Sequence, residues 1–186
     1  MRIGLLLAFF ALGCTSGNNA EDPSAEFQRR QEAIRWSNRG SLFLQQGRPA
    51  RAITALDRAT RLDSSSSAAY FNKGLAHARL EQHPAAIAAF ERALAIEPDK
   101  PRFLFALAAT LRSQHRYLEA ADLLQRAIAG HPDRAEYHFN LGQIRRSTSD
   151  FAGARAAFAR TLELAPDHLQ ARYYHSDLLA RDQQLE

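Results

Sequence analysis

The hydrophobic pattern takes three forms along the chain. Ile3 to Leu12 is an unbroken apolar run, residues 15–26 (TSGNNAEDPSAE) are small and polar, and residues 33–168 show helical patterns in pairs. Each pair is divided by a turn, as at QQGRP (45–49) or TSDF (148–151), and closed by a second stop. Three of these stops are Pro98, Pro132 and Pro166, each followed by Asp, and 34 residues before the first of them lies Ser64 in the only serine cluster. The same interval joins Gly40, Gly74, Ala108 and Gly142, and also Ala52, Ala86, Ala120 and Ala154. A period of this length marks a stacked array of supersecondary units. The units run 33–66, 67–100, 101–134 and 135–168.

Small residues at fixed places let two antiparallel helices approach closely. Leu56, Phe90, Leu124 and Phe158 recur in phase as the large residues that fill the space between neighbours. One such pair leaves an apolar face in water, so stability must come from stacking. Asp22 as cap and Pro23 as first residue predict that the leading helix starts near residue 23. Residues 169–186 start in phase as one more helix, with Leu169, Tyr173 and Leu179 as its apolar residues, and cap the stack.

Composition agrees with this all-α reading. The chain has no Val and few Gly and Pro, and is rich in Ala, Leu and Arg. Its formal charge of +4 is carried by arginines interleaved with acids, Lys73 and Lys100 being the only lysines. Without a run of like charge, a nucleic-acid or lipid-binding surface is not indicated. The seven histidines are scattered and lack metal-ligand spacing. No phosphate loop or nucleophile elbow occurs, and Glu119 with Asp122 reads as an exposed pair on one helix face. No catalytic residue, metal or cofactor is expected.

The N-terminus has the order of an export signal, at about ten apolar residues well short of the roughly 20 that span a bilayer. Its end, Ala11-Leu12-Gly13-Cys14, carries the only cysteine and resembles a bacterial lipobox, with Ala11 where the commonest residue is Leu. The resemblance implies a signal peptide over 1–13, acylation of Cys14 and a flexible tether over 14–22. Ala11 and Gly13 also suit an ordinary signal peptidase, which would leave Cys14 bare. Thr15 is not the Asp that retains lipoproteins in the inner membrane, so the resemblance points to the periplasmic face of the outer membrane, and otherwise to a periplasmic or secreted protein.

Trp36-x-x-Arg39-Gly40-x-x-Phe43, followed by Ala52-x-x-x-Leu56, resembles the tetratricopeptide repeat (TPR), and the likeness returns in phase in all four units. Departures stand at places the family keeps apolar: Arg39 and Lys73 before the glycine, His77 and Arg145 three residues after it. Their stems are expected to pack while the heads reach water. The resemblance implies a right-handed superhelical solenoid of four helix-turn-helix repeats in a domain over 23–186, with first helices lining a concave groove. The family's groove positions fall on Asn38, Phe71, Asn72, Arg79, Arg102, Phe105, Arg112, Phe139, Asn140, Arg146 and Tyr173. An aromatic ladder, backbone-reading amides and arginines suit an extended, acidic or C-terminal peptide. The expectation is a membrane-tethered adaptor for an envelope complex. The alternatives are a homo-oligomerising structural solenoid and an accessory subunit of an enzyme on another chain.

Overall fold

The computed structural model describes residues 23–183. The proposed signal peptide, the tether, Cys14 and Asp22 lie outside the described residues, as do the last three residues of the capping segment.

Within the described residues every regular element is a helix: α1 Pro23–Gln45, α2 Pro49–Leu62, α3 Ser67–Arg79, α4 His83–Ile96, α5 Pro101–Ser113, α6 Tyr117–Gly130, α7 Ala135–Ser147, α8 Phe151–Leu164 and α9 Leu169–Gln183. The helices pair within the units read from the sequence, α1 with α2 through α7 with α8, and α9 covers the last pair.

One turn repeats inside each unit. Gly47, Glu81, His115 and Ser149, 34 apart, adopt φ of 69°, 57°, 58° and 63°. This left-handed residue lets the next N–H reach back five residues, so Arg48, Gln82, Arg116 and Asp150 donate to the carbonyls of Phe43, His77, Leu111 and Arg145 at 2.8 to 3.0 Å. Carbonyls that the first helix would leave open are thereby satisfied.

Packing explains the small residues. Gly40 faces Leu56, and Gly74 and Gly142 face the rings of Phe90 and Phe158. All three large residues are fully buried. In the third unit Ala108 and Leu124 are buried at the same places. A continuous core runs from Phe71 to Ile144, with smaller clusters at the first unit and beneath α9.

Each helix contacts the next in sequence. Beyond that, α1 touches α3, α3 touches α5, and α5 touches α7, with no comparable contact between even-numbered helices. Crowding on one side only means that the array bends toward the odd-numbered helices, which form its inner layer.

The charged departures are accommodated more fully than reaching into water requires. Arg39 lies 5.3 Å from the Trp36 ring and 5.7 Å from that of Phe43. Lys73 pairs with Asp57 at 2.6 Å. Arg145 donates to the Gly153 carbonyl at 3.2 Å and stands 3.6 Å from Asp150. His77 Nδ1 bonds Gln82 at 2.7 Å. These heads sit beside the inter-helix seam, where partial desolvation favours a protein partner over water alone.

Candidate functional site

The inner layer brings together the side chains that the repeat register assigns to it, but they divide into two populations. The phenylalanines largely pack inward. Phe71 is buried, stacked on Phe103 of the next unit at 4.6 Å and tilted against Phe90 at 5.7 Å. Phe139 is buried against Phe158 and His168 at 5.8 and 4.4 Å. Phe105 is half-buried and stacked on Tyr137 at 5.0 Å. This corrects the expectation of an open aromatic ladder: Phe71 and Phe139 join consecutive units and form no pockets for a ligand. The partners of Phe71 and Phe105 across the junction stand two residues earlier in the following unit's frame, whereas Phe139 packs on Phe158 of its own pair and on Tyr174 of α9 at 6.3 Å, so the burial of apolar area claims both Phe71 and Phe139. Tyr173 alone of the column is open, 68 % exposed, with its ring edge-on to Tyr174 at 5.4 Å.

The polar population is turned outward. Asn38 is exposed and Asn72 partly so, and neither amide forms an intramolecular hydrogen bond among the described residues. Asn140 differs, because its Nδ2 donates to the Glu136 carbonyl at 2.9 Å, which leaves its oxygen and one N–H open.

The four arginines also separate. Arg79 donates to the Leu44 carbonyl on α1. Arg102 lies over the Phe71 ring at 4.4 Å, a cation–π contact that covers the ring's outer face. Arg112 and Arg146 occupy equivalent places on α5 and α7. Each has an Nε shut from solvent with no hydrogen-bond partner, and neither forms an ion pair. Arg146 also rests on Tyr174, 4.3 Å from its ring centre.

Tyr174 is the residue the sequence reading missed. It follows Asn140 by 34 places, so its position was visible, but reading that column for amides passed over an aromatic. Nearby, burial pushes the Tyr137 phenol above its ordinary value of 10.0, with Arg134 and Arg102 opposing, so it stays neutral across the physiological range.

Among the described residues no three His, Cys, Asp or Glu side chains gather as metal ligands, and no helix is long and apolar enough to cross a membrane. A hollow beside Phe27, Gln31, Glu32, Arg35, Trp36 and Arg39 is lined by α1 alone, which makes it a surface furrow. What the inner face offers is open amides and two unpaired guanidinium groups on a rigid, curved support.

A family model described as "Tetratricopeptide repeat" matches residues 37–101 and 105–168. No curated protein sequence matches the chain. Among solved structures, the chain is similar to YrrB, described as "a TPR protein with an unusual peptide-binding site": 26% identity, 86% of this chain and 82% of that one covered, TM-score 0.74. PilF of Pseudomonas aeruginosa is 24% identical over 84% of this chain and 72% of its own, with a TM-score of 0.75. A MamA fragment from Desulfovibrio magneticus RS-1 is 20% identical over 82% and 86%, with a TM-score of 0.77. The last two likenesses show the fold alone.

Proposed function

The chain belongs to the tetratricopeptide repeat family, and on that premise we propose that it works by holding an extended segment of a partner protein along its inner face. The family and fold make it a protein-interaction scaffold. Within that role, one observation carries the groove: the open amides of Asn38 and Asn72 share the inner layer with Arg112 and Arg146, two cations that no carboxylate of the described residues neutralises. Amides can pair with a backbone of any sequence, and unpaired guanidinium groups favour an acidic segment. The peptide-binding site named for YrrB supports a peptide as the class of ligand.

The finer setting belongs to the same proposal. Export by residues 1–13 and acylation of Cys14 would leave the solenoid on a short polar tether at the periplasmic face of the outer membrane, where it would assemble or regulate an envelope complex. Intact mass of the mature protein tests the anchor. An acylated N-terminal Cys14 is expected, and a bare cysteine removes the tether from the account.

The groove is tested by capture from the native envelope with the wild-type chain and with an Asn38→Ala, Asn72→Ala, Arg112→Gln, Arg146→Gln variant of equal helicity. Loss of partners from the variant is expected. Recovery of the same partners by both would end the groove reading. A self-associating role draws support from Phe27, Ile34 and Leu42, which are 63%, 49% and 49% exposed along one side of α1. Sedimentation separates the two, since a concentration-dependent dimer that survives the four substitutions does not use the groove.

A further inference from the structure

Helix α9 repeats the first helix of a unit, and among the described residues no second helix of its own lies beside it. Two columns show the consequence. Gly40, Gly74 and Gly142 face Leu56, Phe90 and Phe158 of their paired helices, whereas Ser176, 34 places after Gly142, is exposed. Phe71 and Phe139 lie against Phe90 and Phe158, whereas Tyr173, 34 places after Phe139, is open. The bare side of α9 is therefore the side that earlier first helices turn to their second helices. Ala171, Leu178 and the partly buried Tyr174 occupy the opposite side, packed with Phe139 and Phe158.

The bare side consists of Leu169, Arg172, Tyr173, Ser176, Asp177 and Ala180, all exposed and spaced at the three- and four-residue intervals of one helix face. These six fall in pairs about the midpoint between Tyr174 and His175. When two copies of a helix pack antiparallel about a twofold axis, each residue meets the one equally far beyond the axis on its partner, and every contact occurs twice. With the axis at that midpoint, Leu169 meets Ala180, Tyr173 meets Ser176 and Arg172 meets Asp177. Each large side chain then faces a small one, as Phe90 faces Gly74 inside the molecule, and each cation faces an acid. Neither charge is answered internally: Arg172 donates to the Pro166 carbonyl at 2.6 Å, and neither it nor Asp177 forms an ion pair among the described residues. We infer that α9 is a homodimer interface, on which α9 of a second copy packs antiparallel in the place of a second helix. Tyr173 and Leu169 supply the buried apolar area, while the ion pairs at the edge of the contact fix register more than affinity. This inference is independent of the groove reading, whose amides and arginines it does not use.

Sedimentation equilibrium of the mature chain under reducing conditions tests it, with each variant confirmed at equal helicity. A mass that levels off at twice the monomer is expected, and Tyr173→Lys should weaken association by about tenfold or more. The register has its own test. Arg172→Asp sets acid against acid across the axis and Asp177→Arg sets cation against cation, so each variant alone should dimerise several-fold more weakly. Mixed together, the two variants match every acid with a cation, and the mixture should recover the wild-type association. A monomer at every concentration overturns the inference, as does a mass that keeps growing, the mark of a head-to-tail contact. A dimer that survives Tyr173→Lys but not Ile34→Glu belongs to α1 and overturns it too. A mixture no tighter than its components overturns the antiparallel pairing. The four residues that test the groove are unchanged in all these variants, so failure here leaves that reading standing.

Discussion

At Gly74 the space that a methyl group would need is already filled by a ring. A Cβ there would come within 2.5 Å of Phe90, and one at Gly142 within 2.6 Å of Phe158. The third unit shows the compatible alternative, Ala108 against the smaller Leu124. Gly74→Ala should therefore cost about 1–3 kcal/mol by overpacking. Combining it with Phe90→Leu should cost less than the two single changes added together, as urea denaturation of all four proteins would reveal. A simply additive pair would refute the close approach. Glu97 provides a pH-dependent counterpart. Lys100 at 2.7 Å and the Ser67 hydroxyl donate to its carboxylate and hold its pKa below the ordinary 4.5. The linkage is fully present above pH 4.5 and is lost as pH falls through the lower folded value. The stability difference between wild type and Glu97→Gln should thus shrink on acidification, and a constant difference down to pH 3 would exclude this carboxylate as its source. What the sequence could not resolve at this scale is depth. Phe71 and Asn72, like Phe139 and Asn140, recur together, yet neighbours on a helix point about 100° apart. A 34-residue period places both members of the doublet in columns; only the packing separates the buried ring from the amide at the face.

At the scale of elements the helices begin and end where Pro, Gly and turn residues allow, and those stops were legible without coordinates. Pro49 and Pro101 open α2 and α5, and the left-handed residue at Gly47, Glu81, His115 and Ser149 closes the first helix of each unit. The quality of each start is uneven. Asp150 accepts from the Gly153 amide at 2.9 Å, whereas Arg48 and Arg116 at the equivalent places make no capping bond. Arg116 has another role, a two-pronged pair with Glu119 at 2.6 and 2.7 Å, but Arg48 is unengaged. Arg48→Asp should raise stability by about 1 kcal/mol through a cap on α2 and a favourable charge at its N-terminus. Asp150→Ala should lower it by a similar amount. Denaturation midpoints at unchanged slope measure both, and a neutral Arg48→Asp would show that the turn already satisfies the exposed amides.

For the whole molecule, stability is a sum over junctions, because helices contact only sequence neighbours and the next member of the inner layer. The continuous cluster from Phe71 to Ile144 binds the second, third and fourth units, whereas α9 adds few buried apolar side chains beyond Ala171 and Leu178. Hydrogen exchange should accordingly be slowest in α4 to α6 and fastest in α9. Uniform protection would mean that the array opens only as one body. The superhelix was legible because its period survives every substitution in the repeats. The side chains of the inner face were legible only in outline, because Arg112 and Arg146 read in the sequence like Arg79 and Arg102 until contacts of the latter two to a carbonyl and a ring distinguish them. The junction stack has a further consequence. Phe71 meets Phe103 as Phe105 meets Tyr137, aromatic on aromatic at 4.6 and 5.0 Å, so the joints are chemically interchangeable. Excising residues 101–134 would splice Lys100 to Ala135 and set Phe71 on Tyr137 without moving a helix boundary. The protein is in that sense a ruler with removable divisions: its shortened form would keep a complete aromatic joint while losing one division and the arginine at 112 that stands on it.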